Sequence, residues 1–185
     1  MRYDAIVVGG GPAGSTCAWR LHRAGLRVAV VDRSQFPRDK VCAGWITPQV
    51  VRTLELDLAD YAKCATLQPI EAFGVGRIGH GRTVTVSYGT VVSYGIRRCE
   101  FDAYLLRRCG AKRLLGIPVT RIEQTGGNWI VNGQLQAPVL VGAGGHFCPV
   151  ARLLGRKRRG RVVVAREFEV VTHLPTDAPE WGCLL

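Results

Sequence analysis

A chain of 185 residues is long enough for one domain with a sizeable core, and its 47% hydrophobic content is globular rather than disordered. Its formal net charge of +11, from 25 Lys plus Arg against 14 Asp plus Glu, points to anionic partners such as phosphates or an acidic membrane surface. No apolar run reaches about 18 residues, so no membrane-crossing helix is expected.

Residues 4–8 (DAIVV) form a nearly continuous apolar run, suited to a strand buried on both faces of a parallel sheet. A glycine-rich turn, Gly9 to Gly14, follows. Residues 15–24 then read as a helix with Cys17, Ala18, Leu21 and Ala24 on one face and Gly25 as its stop. Residues 28–31 form a second buried strand ending in Asp32. This is a βαβ unit of roughly 30 residues, with a right-handed crossover expected.

Beyond it, 34–48 reads as a polar, irregular loop and 48–54 as a short helix. Residues 70–96 change character: alternation at Val84, Val86 and Tyr88, punctuated by Gly74, Gly76, Gly79, Gly81 and Gly89, favours antiparallel strands. Helical spacing returns over 101–109 through Phe101, Tyr104, Leu105 and Arg108. A small β-meander is expected at 119–122, 129–131 and 135–137, a further buried strand at 139–141, and another strand at 162–168.

Gly9-Gly10-Gly11-Pro12-Ala13-Gly14 fits G-x-G-x-x-G between a strand and a helix. The first glycine permits the tight turn, the second lets the backbone approach a pyrophosphate, and the third lets helix and strand pack closely. Phosphates are favoured at a helix N-terminus by its free N–H groups and dipole. Asp32 stands where an acidic side chain accepts hydrogen bonds from both ribose hydroxyls, and it disfavours a 2′-phosphate, hence NADP. The alternative is a glycine-rich turn without a ligand. FAD and NAD use the same first unit, so downstream residues must decide between them.

Three downstream segments resemble the FAD-dependent oxidoreductases that include the geranylgeranyl reductases and, more distantly, the aromatic hydroxylases. Residues 37–44 (PRDKVCAG) resemble the reductases' P-R-x-K-x-C-G-G loop. Residues 98–105 (RCEFDAYL) match R-x-x-F-D-x-x-L, and 141–152 (VGAGGHFCPVAR) resemble the hydroxylases' G-A-D-G-x-x-S-x-V-R. The resemblance implies a Rossmann-like FAD-binding βαβ domain (1–69 with 97–155), a small antiparallel meander, and part of an antiparallel substrate domain (70–96 with 160–185).

It also implies roles. Gly9, Gly11, Pro12, Ala13 and Gly14 would line the pyrophosphate. Asp32 would hold the adenosine ribose, with Arg33 beside the adenine and Val119 offering backbone groups to its edge. Ala143 and Gly144 would close the site. Arg98 would reach the FAD phosphate or ribityl chain; otherwise it is a helix cap. Arg38, Lys40, Cys42 and Ala43 would lie near the flavin. Cys42 is the catalytic candidate, touching substrate or donating a proton, with Arg38 and Lys40 lowering its pKa if they lie close. The alternative for Cys42 is a small apolar filler. Cys148 and His146 are read as structural.

The departures matter too. The loop's second glycine is Ala43 here; the hydroxylase motif's Asp is Gly144 and its Ser is Cys148. These favour reduction or electron transfer over hydroxylation. The family's second FAD motif, a G-D-A-A-G-like stretch, does not follow Arg152. The sequence therefore reads as a truncated form.

The implied activity is FAD-dependent oxidoreduction, with hydride or electron transfer through flavin and an isoprenoid or other apolar small molecule as substrate. Alternatives are a non-catalytic dinucleotide-binding fragment, a flavin monooxygenase-like protein, an NAD-linked dehydrogenase and an interaction protein. Seven cysteines without a C-x-x-C pair, and no secretory signal before the first strand, suggest reduced thiols and a cytoplasmic protein. Arg152, Arg156, Lys157, Arg158, Arg159 and Arg161 form a basic run that is either a solvated loop or a contact with an anionic membrane surface, inner-face attachment being the membrane option. No nucleic acid is expected, because no nucleic-acid module accompanies the run. A homo-oligomer is the expected result of an unpaired sheet edge.

Overall fold

The computed structural model describes residues 1–76, 82–155, 164 and 166. The elements begin with β1 (Ala5–Val8), α1 (Pro12–Arg23), β2 (Val28–Asp32), β3 (Trp45–Ile46), α2 (Pro48–Thr53) and α3 (Leu58–Ala62). Next come β4 (Gln68–Ile70), β5 (Ala72–Gly76), β6 (Thr83–Ser87), β7 (Ser93–Gly95) and α4 (Arg98–Arg108). Then follow β8 (Lys112–Leu115), β9 (Ile122–Thr125), β10 (Asn128–Val131), β11 (Leu135–Ala137) and β12 (Val139–Gly142), a 3₁₀ turn at Gly145–Phe147, and α5 (Pro149–Leu153). None of the helices among the described residues is long and apolar enough to cross a membrane.

The described residues fall into two compact units. The first holds 1–39 and 102–155 and is built on a four-stranded sheet in the order β12-β1-β2-β8, with every pairing parallel. Its apolar strands are covered on both faces. Val7, Val28 and Val30 pack with Ala18 of α1 and Leu106 and Cys109 at the end of α4. Ile6, Val8 and Val31 face the meander through Val131, Leu135 and Ala137, joined by Cys148 and Val150. Alternate residues of one strand therefore enter two cores, which is why β1 and β2 read as unbroken apolar runs.

The βαβ reading holds, with α1 starting three residues earlier than its spacing predicts, because Pro12 fits the first helical turn. The meander also forms, but its first strand begins at Ile122, not at 119. The fourth parallel strand, β8, has no counterpart in the sequence reading. Its Lys112 and Arg113 are exposed and only Leu114 and Leu115 turn inward, so as an edge strand it lacks the apolar run.

The second unit holds 40–76, 82–101, 164 and 166. Its strands pair antiparallel, as one sheet β3-β7-β4 and one hairpin β5-β6. The loop expected over 34–48 is interrupted by β3, whose Trp45 and Ile46 pair with Gly95 and Tyr94. The Ser93 hydroxyl adds a hydrogen bond to the Ile46 carbonyl at 3.0 Å. The sequence boundaries at 69/70 and 96/97 both fall inside this unit, because β3 and β4 share β7 as their partner. Helix α3 is unanticipated; the Asp57 carboxylate caps it by accepting from the Asp60 amide at 2.9 Å. Tyr61 of α3 is buried edge-to-face on Phe101, 6.0 Å between centroids. Of the strand expected at 162–168 only 164 and 166 are described, and the basic run from Arg156 to Arg161 lies outside the described residues.

Glu100, in the first turn of α4, accepts from the Thr66 amide at 2.7 Å and pairs with Arg97 at 3.1 Å. Burial pushes its carboxyl upward, but the Thr66 bonds and the Arg97 guanidinium outweigh that and hold it below the ordinary range. A carboxyl depressed in the fold stabilises above its unfolded pKa, and the gain is lost as pH falls through the lower folded value. Glu100→Gln should therefore unfold at lower denaturant than wild type near neutrality, with the difference closing below about pH 4, as read by urea melts across pH. In the first unit, Leu106→Ala should cost about 3 kcal/mol in the same melts, since Leu106 is 1% exposed between helix and sheet.

Candidate functional site

The site is built where β1 and β2 end. Gly9 follows β1 at φ +113°, and its amide donates to the Val31 carbonyl at 2.8 Å. A Cβ at Gly9 would overlap the Ala143 carbonyl and stand 2.7 Å from the Gly144 nitrogen. A Cβ at Gly14 would overlap the Gly9 carbonyl oxygen and lie 3.2 Å from the Ala143 Cβ. Three stretches of backbone therefore meet here with no room for a side chain.

Asp32 ties the turn to β2. Its Oδ2 accepts from the Gly10 amide at 2.7 Å and its Oδ1 from the Ser34 amide at 2.8 Å. Each oxygen keeps acceptor capacity, because a carboxylate offers about four lone-pair positions. Gly11 is the N-cap of α1 and no side chain caps it. Pro12 has no N–H, so the Ala13 and Gly14 amides are the first-turn donors without intrahelical partners.

Arg38 stands beside this helix start. A Cβ on Gly11 would lie 3.4 Å from Arg38 Nη2 and 4.0 Å from Asp102 Oδ2. The Arg38 guanidinium pairs with the buried Asp102 carboxylate at 3.2 Å and lies 4.8 Å from the centroid of the Phe36 ring. Its Nη1 is buried with no hydrogen-bond partner among the described residues. A guanidinium with one nitrogen buried and unmatched and the other beside the start of α1 suits an anion.

Next to the turn is a cavity of about 260 Å³ lined by Gly9, Asp32, Arg33, Val119, Gly144, Phe147 and Arg152, among others. It gathers five residues singled out in the sequence, namely Gly9, Asp32, Arg33, Val119 and Gly144. Ile117, Pro118, Phe147, Pro149 and Arg152 are further lining residues that sequence reasoning did not assign to the site. Pro149 and Arg152 belong to the 141–152 segment and were findable there. Ile117 and Pro118 carry no motif.

Lys40, Cys42, Ala43 and Arg98 belong to the second unit, whereas Arg38 belongs to the first. Cys42 and Arg98 are half-buried; Lys40 and Ala43 are exposed. Cys148 is buried in the core behind the meander, and the exposed His146 stacks edge-on against Phe147 at 4.7 Å. Burial pushes the thiols of Cys17 and Cys109 up, so both stay protonated within the helix-side core.

Residues 4–89 match the family FAD dependent oxidoreductase. The geranylgeranyl diphosphate reductase of Rhodobacter capsulatus is 39% identical over 134 residues, covering 71% of this chain and 32% of that protein. The menaquinone reductase of Mycolicibacterium smegmatis is 30% identical, covering 97% of this chain and 49% of its own. The chain thus spans about a third to a half of the length of these curated relatives. Among solved structures, a mutant of the halogenase PltM in complex with FAD shares the fold with a TM-score of 0.64 at 20% identity, over 83% of this chain and 36% of that one.

Two outcomes are expected from this geometry. Asp102→Ala should cost about 3 kcal/mol, the low end for breaking a buried ion pair, because Arg38 keeps 20% of its side chain exposed; thermal and urea melts measure it. Gly14→Val should separate α1 from the Gly9 carbonyl and abolish nucleotide binding at the turn, as read by equilibrium dialysis with ADP.

Proposed function

Because the chain belongs to the FAD-dependent oxidoreductase family, we propose that it holds FAD by the adenosine end in the first unit and carries hydride or electron transfer of the geranylgeranyl reductase kind. The Arg38 guanidinium, with Nη2 beside Gly11 and Nη1 buried and unmatched among the described residues, carries this reading. A pyrophosphate there would receive that donor together with the Ala13 and Gly14 amides. The cradle that Gly9 and Gly14 keep free of side chains fits the same group.

Each residue then has a task. Gly9, Gly11 and Pro12 shape the turn, and Ala13 and Gly14 donate to phosphate oxygens. Asp32 keeps the turn closed through Gly10 and Ser34, and its remaining lone pairs accept from ribose hydroxyls. Arg33, Val119, Gly144 and Phe147 wall the space for an adenine, with Ala143 kept as a cofactor-binding candidate behind Gly9. Asp102 positions Arg38. Bound flavin supplies the hydride and electron chemistry.

Lys40, Cys42 and Ala43 are assigned to the loop facing the ring, Arg98 to the phosphate or ribityl chain, and Cys42 to substrate contact or proton donation. Support for these four is the likeness of 37–44 and 98–105 to the family's segments. The substrate proposed is an isoprenoid or similarly apolar small molecule, with the strands of 70–96 forming part of its domain. A cytoplasmic location, with attachment to an anionic membrane face through the run that starts at Arg152, completes the proposal.

A second reading is favoured by chain coverage: a dinucleotide-binding part that needs further sequence for turnover. An absorption spectrum after incubation with FAD and desalting tests the cofactor claim. Wild type should retain a flavin band. Asp32→Ala and Arg38→Met should each weaken FAD binding about tenfold or more, since each removes charge-assisted bonds. Absence of a band in wild type would overturn FAD retention by these residues. A band without dye reduction would favour the second reading.

A further inference from the structure

Parallel strands all enter the sheet at one end, and the site above occupies the other. At the entering end is a second cavity of about 350 Å³, within the range of roughly 300–1,000 Å³ that small molecules occupy. Arg2, His22, Arg27 and Lys112 line it, with Tyr3 and Leu26 among its apolar walls, and no carboxylate is part of the lining.

The topology assembles these cations. Arg2 precedes β1. The last turn of α1 brings Arg20, His22 and Arg23 before the chain enters β2 at Val28, and the last turn of α4 brings Arg107 and Arg108 before β8 starts at Lys112. Cations at helix C-termini complement the macrodipole, which explains the last-turn residues. Of those last-turn residues only His22 lines the cavity; the dipole does not explain Arg2 and Lys112, which stand at strand entries and line it as well.

The local acid is already committed. Asp4 accepts from the Arg27 amide at 2.7 Å and pairs with its guanidinium at 3.3 Å. The Arg27 amide, then its side chain, hold the Asp4 carboxyl below the ordinary range. Asp4 thus offsets one cation, while no hydrogen bond or ion pair engages the side chains of Arg2, His22 or Lys112 among the described residues. Two features hold the surroundings in place. The His22 imidazole lies so close over Gly110 that a Cβ there would overlap it. Arg20, Arg23 and Arg108 stack on Trp19 at 4.5, 5.0 and 4.5 Å from the ring centroid.

We propose that this cavity is a binding site for a phosphomonoester group, separate from the pocket around Asp32. A phosphomonoester presents three acceptor oxygens and close to two charges, matching several converging cations, whereas a carboxylate is satisfied by one arginine fork. The group could arrive on a free metabolite or on a lipid headgroup.

The test uses the full 185-residue chain at low salt with two probes, glycerol 3-phosphate by calorimetry and phosphatidylcholine vesicles with or without phosphatidic acid by co-sedimentation. The expected result is saturable, salt-sensitive binding of at least one probe. It should fall about tenfold in Arg2→Gln and further in Arg2→Gln with Lys112→Gln, and persist in Arg38→Met. Both altered side chains are exposed, and unchanged melting temperatures check that the variants fold. Glycerol 3-phosphate binding assigns the free source; binding only to phosphatidic acid vesicles assigns the lipid source. Binding of neither probe, equal binding by the double variant, or loss in Arg38→Met would overturn the proposal. The last outcome places the phosphate at the start of α1 beside Arg38, and none of them bears on FAD retention.

Discussion

The closest constraint in the molecule is the meeting of Gly9, Gly14 and Ala143, where three backbone segments touch without side chains between them. It draws the start of α1 against the end of β1 and sets the 142–145 turn alongside. The amide ladder does the rest: Gly9 donates to Val31 and Ala143 to Val8, both at 2.8 Å. Once these are made, the open amides of α1 have a fixed direction, and Asp32 can reach Gly10. Packing and recognition are thus set by one contact, because a helix end cannot be aimed at an anion without being docked on its strand.

The Arg38–Asp102 pair extends that constraint to α4. Asp102 is wholly buried, and a buried carboxylate is tolerable only with a charged partner. Its partner keeps one guanidinium nitrogen, Nη1, unmatched among the described residues, while Nη2 stands near Gly11. A purely structural ion pair would satisfy both ends. Leaving one donor short is a cost to the fold that a bound anion removes, so stability and ligand binding are coupled at this residue.

Legibility in the sequence followed burial. Strands β1 and β2 were readable because both faces are covered and every position before Asp32 is apolar, and the glycine motif between them has a fixed spacing. Strand β8 was not, because an edge strand needs only Leu114 and Leu115 inward and can leave Lys112 and Arg113 in water. The meander's start was misplaced because Val119 is apolar for a different reason: it lines the cavity instead of pairing in the sheet. Asp32 and Gly144, named from motifs, and Arg33, named from the family resemblance, all line the cavity. Asp102 stood inside a quoted motif, but its role as the Arg38 counter-charge is a tertiary fact that no local spacing encodes.

The charge excess looked like a property of the basic run after Arg152, since that is where the cations are consecutive. In the fold, a second concentration appears from residues scattered between Arg2 and Lys112, because parallel strands bring every strand entry and the ends of α1 and α4 to one edge. Two of these helices end there, and their carbonyls favour cations on their last turns. The same topology that points the positive helix end at the cofactor side therefore gathers lysine and arginine at the far side. A doubly polar unit results, with anion-seeking groups at both ends of one sheet. At one end they are backbone amides with Arg38, and at the other they are side chains alone. The two ends should differ in salt dependence, since side-chain charges at an exposed edge are screened far more than amides and a guanidinium held in the interior.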